Sequence, residues 1–319
     1  MKNFKFVVFI LLLGLWSCSN KQLTFPDYKY TTVYFAYQSP VRTLDLGNDI
    51  FDNSLDNQHK CMIMATMGGV YQNTKDISIG ISVDTTLSSH LLFGQGGSPV
   101  IAMPPDYYSL PKDMTVRIPS GSVEGGITVQ LTDAFFADAR SIRNTFVIPL
   151  RMNTVQNADS ILVGKNTILY AIKYINPWHG NYLRRGAEKI SDGAGDTTII
   201  YHTSYVETDQ VCSTGTLSLS TDSLLLNAKS RGNVNIPFQL LLTFDSNGKC
   251  SIGNPTSAAY TVSGGGEFVK GGDSWGNQAR DVLHLKYTVD FGTSKHSFTD
   301  TLVMRDRGIK FETFVPTGF

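Results

Sequence analysis

The sequence predicts an all-β protein of two domains, an N-terminal Ig-like β-sandwich followed by a C-terminal antiparallel β-barrel or sandwich of lipocalin-like form. Its 319 residues exceed the usual domain size of about 100–150 residues, so two cores are expected. Short β-branched and aromatic runs recur along most of the chain, separated by Gly, Pro, Asn and Asp clusters, which is the pattern of strands and turns. Near the middle, "RRGAEKISDGAGDTT" is polar and glycine-bearing with no periodicity, as at a boundary between two units.

Composition narrows the function classes. Hydrophobic residues at 41% and charged residues at 17% are those of an ordinary globular chain, neither disordered nor fibrous. Lys plus Arg and Asp plus Glu both total 27. With no basic excess to displace counterions from a phosphate backbone, nucleic-acid binding is set aside.

From the start of the chain, Lys2 and Lys5 precede the apolar run Phe6–Leu13, which is too short to span a bilayer and is followed by "GLWSC". Residues 1–18 read as an export signal. Leu15–Cys18 resembles a bacterial lipobox, with Ser17 in the pattern and the bulky Trp16 outside it, which makes Cys18 the lipid attachment site. A plain secretory peptide cleaved nearby is the other reading, and both take the mature chain out of the cytoplasm. No later stretch is long and apolar enough for a transmembrane helix, so the lipid would be the membrane attachment.

Residues 19–30 form a polar tether. Strand signals fill residues 31–178, in "TTVYFAY", "DISIGISV", "MTVRIP", "GITVQL", "TFVIPLRM" and "TILYAIKYI"; "TDAFFADARSI" (132–142) is the segment with helical character. Residues 179–198 are expected to be a linker. In the second domain, 199–319, Leu283, Leu285, Tyr287, Val289 and Phe291 share one face and His284, Lys286, Thr288 and Asp290 the other, the alternation of a half-buried strand. "FDSNGKC" places Asn247 and Gly248 at a tight hairpin turn with positive φ at both, and "GTSK" turns the chain between Phe291 and His296.

Motifs that carry chemistry are mostly missing. There is no GxSxG elbow, GxxxxGK[ST] phosphate loop or HExxH. "GGGEFVKGGDSWGN" lacks the ending and helix of a phosphate cradle and reads as a loop or bulged hairpin. "SDGAGD" lacks the ligand alternation and closing glutamate of a calcium loop. After Cys18, only Cys61, Cys212 and Cys250 remain, with no metal-type spacing; Cys212 and Cys250 either pair or sit as small buried apolar residues. Neither a metal nor another cofactor is expected. No pair of aspartates stands out as catalytic, since perturbed pKa values cannot be read from spacing.

The aromatics point further. Trp178 in "PWHGN" and Trp275 in "SWGNQ" are the tryptophans left after Cys18, and both have loop-like surroundings. An indole there either packs beneath the loop or waits for a flat apolar partner such as a sugar ring. In "NPWHGNYLRRG" (176–186), Pro177 bars a regular helix, and a stretch between two domains is both a junction and a favoured ligand location.

"VRIPSGSVEGGITVQLTD", "TFVIPLRM" and "ILYAIKYINPWHGNYLRRG" resemble the N-terminal domain of exported Bacteroidetes lipoproteins known as domain of unknown function 1735, over roughly residues 30–190. "SWGNQARDVLHLKYTVDFG" and "DTLVMRDRGIKFETF" resemble the partner domain behind it, domain of unknown function 5627. The resemblance implies an Ig-like sandwich whose last strand leads into Asn176–Gly180, then Tyr182 and Arg184–Gly186, and a barrel-like second module without a catalytic domain. It implies an outer-membrane lipoprotein of a polysaccharide-utilisation system, binding oligosaccharide or polysaccharide beside an outer-membrane transport complex. The expected glycan-binding residues are Trp178, His179, Tyr182, Arg184 and Trp275. "SNKQ" follows Cys18 where acidic residues mark surface export, which leaves surface-facing and periplasm-facing placements open. An adhesin or assembly subunit working by strand addition is the alternative, and a glycan-processing enzyme with two convergent titratable groups the third.

Overall fold

The structure, a computed structural model, describes residues 27–318. The signal segment, Cys18 and most of the tether lie outside the described residues. Two β units follow each other along the chain.

The first is the sandwich. Its principal strands are β1 (Thr32–Tyr34), β2 (Pro40–Asp45), β3 (Lys60–Gly68), β4 (Ile77–Val83), β5 (Thr115–Ile118), β6 (Glu124–Leu131), β7 (Phe146–Gln156) and β8 (Thr167–Ile175), with a one-turn helix α1 (Ser54–Asn57) and a short helix α2 (Asp133–Ala137). They pair in the order β1-β3-β6-β5-β4-β7-β8-β2. β5 and β6 share a single pair, Arg117 with Gly126, and there the sheet folds over into two layers. Val33, Ile63, Ile127 and Val129 of one layer and Leu44, Ile79, Val116, Ile148 and Ile172 of the other meet in one core. Tyr170 ties the layers by donating its hydroxyl to Met62 O at 3.1 Å.

The six quoted runs are strands, and residues 132–142 carry α2 and a 3-10 turn, Ala139–Ile142. β3 escaped the sequence reading because its outward residues are apolar too. Cys61, Ile63, Ala65 and Met67 are buried while Met62 and Met64 are more than one-third exposed, so hydropathy does not alternate although the geometry does. β7 and β8 are buried on both faces: Val41, Val147, Leu169 and Ala171 form a second, outer core.

The second unit is a closed eight-stranded barrel. Its strands are β9 (Gly180–Asp192), β11 (Gln210–Thr216), β12 (Thr221–Lys229), β13 (Asn235–Phe244), β14 (Lys249–Gly253), β15 (Thr261–Trp275), β16 (Gln278–Asp290) and β17 (Ser294–Asp306), and β17 pairs back onto β9; β10 (Gly195–Tyr201) is a hairpin partner of β9. Closure removes the free edges of the eight barrel strands, and among the described residues β10 is left with one unpaired edge. Leu283, Leu285, Tyr287 and Val289 point inward, as their alternation requires. The turn after β13 departs from expectation: positive φ occurs at Gly248 and not at Asn247, because Asp245–Gly248 is a longer loop with one left-handed residue. The glycine-rich stretch is a bulged hairpin, its register shifting between Val269 and Asp273.

Two expected boundaries are corrected. Residues 179–198 are not a linker: they are β9 and the start of β10, polar because Asn181, Arg185 and the hairpin tip face outward from the barrel wall. Nor does the second domain run to the last residue. After β17 the chain returns to the sandwich, where Glu312 and Thr313 pair with Val41 and Pro40 and Phe314 is buried in the outer core. Cys61, Cys212 and Cys250 are free and buried; burial pushes each thiol up to about 12, so all three are inert packing groups.

Candidate functional site

The sequence "NPWHGNYLRRG" builds the domain junction residue by residue. Asn176 is fully buried. Its side-chain oxygen accepts from Trp178 N and His179 N, both at 3.1 Å, and its amide donates to Ser218 O at 2.9 Å and to Asp222. This is how an asparagine turns a chain sharply while satisfying its own backbone. Pro177 packs on Gly47, where φ is +102° and a Cβ would come within 2.7 Å of the proline ring; only glycine serves there.

Of the expected binding residues, Tyr182 and Arg184 are buried, while Trp178, His179 and Trp275 are half-buried. Trp178 stacks on Phe244 with ring centroids 4.1 Å apart. His179 accepts from Thr216 N at 3.1 Å through Nδ1; burial, with Arg307 and Lys173 nearby, lowers its pKa to about 4. Tyr182 is completely buried and donates to Trp178 O at 2.7 Å. Arg184 is buried inside the barrel, forked onto Asp300 at 3.0 and 3.1 Å, with Tyr287 donating to the same carboxylate at 2.8 Å. Neither Tyr182 nor Arg184 presents its side chain to solvent. Trp275, on the barrel's outer wall, donates to Met304 O at 3.0 Å and carries the Arg280 guanidinium 4.1 Å above its ring. The structure brings Trp178, His179 and Tyr182 together and leaves Trp275 apart from them.

The concave feature lies beside the junction. A cleft of about 610 Å³ opens between the loop Asn48–Asn53 of the sandwich, the start of β16 and the segment Met304–Phe311. A second groove of about 500 Å³ continues along the sandwich past Tyr37, Met62 and Met64. They share Arg42, Ile309, Lys310 and Phe311. Phe311 is 67% exposed and rests on Tyr37 at a centroid distance of 4.8 Å; Phe51 on the cleft's other lip is 73% exposed. None of these residues carried a sequence signal, because loop and tail residues 260 positions apart meet only in the fold.

Arg307 fixes the cleft floor. It donates to Leu46 O at 3.0 Å, Asn48 O at 3.1 Å and Asn176 O at 2.7 Å, and lies 2.9 Å from Asp45. Arg42 pairs with Asp56 at 2.5 Å and Arg305 with Asp306 at 2.7 Å. Burial raises Asp45 to about 7 against the pull of Arg307, and a hydrogen bond shared with Asp49 raises it further. The cleft is lined by Arg42, Arg280, Arg305, Arg307 and Lys310 against Asp45, Asp49, Asp52, Asp56, Asp281 and Asp306. Five cationic side chains thus face six carboxyls, one of which, Asp45, burial pushes toward its neutral form. Among the described residues no cluster of His, Cys, Asp or Glu has metal-binding geometry.

The comparisons with known proteins agree with this two-part layout. Residues 177–308 match the model of a domain of unknown function, DUF5627, and residues 28–159 match a model described only as an N-terminal domain. A solved Bacteroides ovatus protein of unknown function is 37% identical, with 91% of this chain and 99% of that one covered at a TM-score of 0.84. The chain belongs to that protein's family. A second Bacteroides ovatus protein of unknown function is 13% identical over 88% of this chain and 97% of its own, with a TM-score of 0.46. An auxiliary nutrient binding protein from Bacteroides thetaiotaomicron is 12% identical over 83% and 90%, with a TM-score of 0.40. These looser likenesses carry no argument about function. No curated protein matches the chain.

Proposed function

We propose that the protein is a non-catalytic, lipid-anchored binding protein of the cell envelope that holds an oligosaccharide in the groove between its domains, as part of a polysaccharide-utilisation system beside an outer-membrane transporter. The reading takes the sandwich as the 1735 type and Cys18 as the lipid site. The observation that carries it is the groove itself: two continuous cavities of about 610 and 500 Å³, each within the range of about 300–1,000 Å³ that suits small-molecule ligands. Phe311 and Phe51 offer flat apolar faces against which the C–H face of a pyranose packs. Asn48, Asp49, Asp52 and Lys310 offer hydrogen bonds to hydroxyls. Balanced charge suits a neutral ligand, since a strongly acidic or basic one would meet uncompensated like charge.

Strand addition has less support. The sandwich sheet ends in two-residue strands, Ser160–Ile161 on one side and Glu312–Thr313 on the other, and short edges are how sheets discourage pairing. The enzyme reading has one favourable observation, the raised carboxyl of Asp45. That group is only 5% exposed and is held 2.9 Å from Arg307.

The test is binding of residues 19–319 to a panel of neutral and acidic glycans by calorimetry, with Phe311→Ala and Phe51→Ala alongside and reducing-end release followed in parallel. Retention of a neutral oligosaccharide, lost in both variants and with no release, supports the reading. Equal binding by the variants would move the ligand elsewhere, and release abolished by Asp45→Asn would make the protein an enzyme.

A further inference from the structure

The groove that continues the cleft along the sandwich differs from it in chemistry. The outward positions of β3, which a half-solvated strand usually gives to polar side chains, carry Met62 and Met64, 37% and 38% exposed. Gly126 of β6 stands opposite Met64, and a Cβ there would come within 2.6 Å of Met64 Sδ and 2.9 Å of Met62 Cε. A glycine at that position therefore lets both thioethers lean over the neighbouring strand. Tyr37, Ile168 and Tyr170 line the groove beside them, and Phe311 packs on Tyr37. The charged side chains of the lining are Arg42, Glu124 and Lys310. Arg42 is paired with Asp56, and both Arg42 and Lys310 also line the cleft, so they stand at the border between the two cavities. Single exposed apolar side chains are ordinary on a protein surface, whereas contiguous ones lining a concavity mark a binding surface.

We propose that this groove takes the apolar aglycone of the ligand whose sugar portion lies in the interdomain cleft, so that the ligand is an amphipathic glycoside. The inference rests on the oligosaccharide reading of the cleft. Continuity commits the groove to that occupant: the two cavities share Arg42, Ile309, Lys310 and Phe311, so a molecule that reaches Phe311 from the cleft continues past it into the groove.

The two linings divide the ligand. In the cleft, five cationic side chains and six carboxyls would be stripped of water by an apolar group that offers no hydrogen bond in return. In the groove the relation is reversed. A sugar laid on two thioethers would leave hydroxyls unpaired on that side, while an aromatic or aliphatic group gains by leaving water and by contact with polarisable sulfur. Methionine adapts through three rotatable bonds. The pair therefore fits a range of aglycones, and the polar cleft selects the sugar.

The experiment titrates residues 19–319 by calorimetry with xylotriose, cellotriose, mannotriose and maltotriose, each with a free reducing end and as its 2-naphthyl glycoside, and with 2-naphthol alone. The series is repeated in Met62→Gln/Met64→Gln and in Tyr37→Ser, each first checked for an unchanged unfolding midpoint; the second keeps the test open if the double variant does not fold. The expected result is a glycoside held about tenfold or more tighter than its free sugar, with that ratio falling toward one in the variants. Equal affinity for the two forms of a sugar that binds, or a ratio that survives in the variants, overturns this inference and leaves the oligosaccharide reading standing. Silence toward both forms of every sugar, or 2-naphthol bound as tightly as the glycosides, overturns the two together.

Discussion

Arg307, the first residue after the barrel's last strand, lies 2.9 Å from Asp45 at the end of a sandwich strand, and both are buried. The pair joins two domains that the chain connects through Asn176 and Pro177, so the junction is held from both ends of the barrel.

Replacing Arg307 with alanine leaves Leu46 O, Asn48 O and Asn176 O without their donor and removes the cation beside Asp45. Breaking a buried pair by deleting one partner costs about 3–5 kcal/mol. The expected outcome is a fall of that size in stability by urea denaturation, with proteolysis appearing near residues 176–179.

Asp222 gives a sharper test, because it is fully buried with Asn176 as donor and its second oxygen has no partner. Burial raises its pKa to about 7, only partly offset by the Asn176 hydrogen bond and Arg307. A carboxyl whose folded pKa lies above its unfolded value binds more protons in the native state. Its contribution is intact below about pH 4 and is lost as pH rises to about 7 and beyond. Asp45, also raised to about 7, adds in the same direction. Asp222→Asn, which stays neutral, is expected to match the wild type within about 1 kcal/mol at pH 4 and to exceed its stability at pH 8.5, read from denaturant midpoints at the two pH values.

Inside the barrel, Arg184 and Asp300 are both essentially unexposed, and Arg184 also lies 4.6 Å from the Tyr201 ring centroid. Arg184→Met strands the Asp300 charge and is expected to cost about 3–5 kcal/mol. Arg184→Met/Asp300→Leu removes both charges and is expected to cost clearly less than the sum of the singles, a coupling measured by a double-mutant cycle.

Trp178 and Phe311 should separate stability from binding. Trp178→Ala removes the ring stacked on Phe244 and packed against the barrel core, which is expected to cost about 3 kcal/mol of stability. Phe311→Ala removes a side chain that is two-thirds exposed. It is expected to leave the unfolding midpoint within about 0.5 kcal/mol while weakening oligosaccharide binding about tenfold, a comparison made by denaturation and calorimetry on the same preparations.

Local pattern was enough for much of the fold. β-branched and aromatic runs with period two, as in Val282–Phe291, report which face of a strand is buried because side chains alternate whatever the partner. Glycine and proline punctuation placed the turns, and Pro177 marked a place where helix could not continue. The same local logic misread residues 179–198. Their polarity was that of a barrel wall's outer face and a hairpin tip, which single-chain pattern cannot distinguish from a linker.

What the sequence by itself determined was the class of most segments: strands, turns, two units, and a junction at Asn176–Gly180. What the tertiary structure decided was which side chains meet. Arg184 was expected among the glycan-binding residues and is consumed by Asp300, 116 positions away. Asp45 has an ordinary sequence context and is raised because folding buries it beside Arg307 and Asp49. The groove draws on residues 36–64, on Glu124, Ile168 and Tyr170, on the start of β16 and on the returning tail. Burial and long-range contact set those properties, and neither is encoded in the spacing of neighbours along the chain.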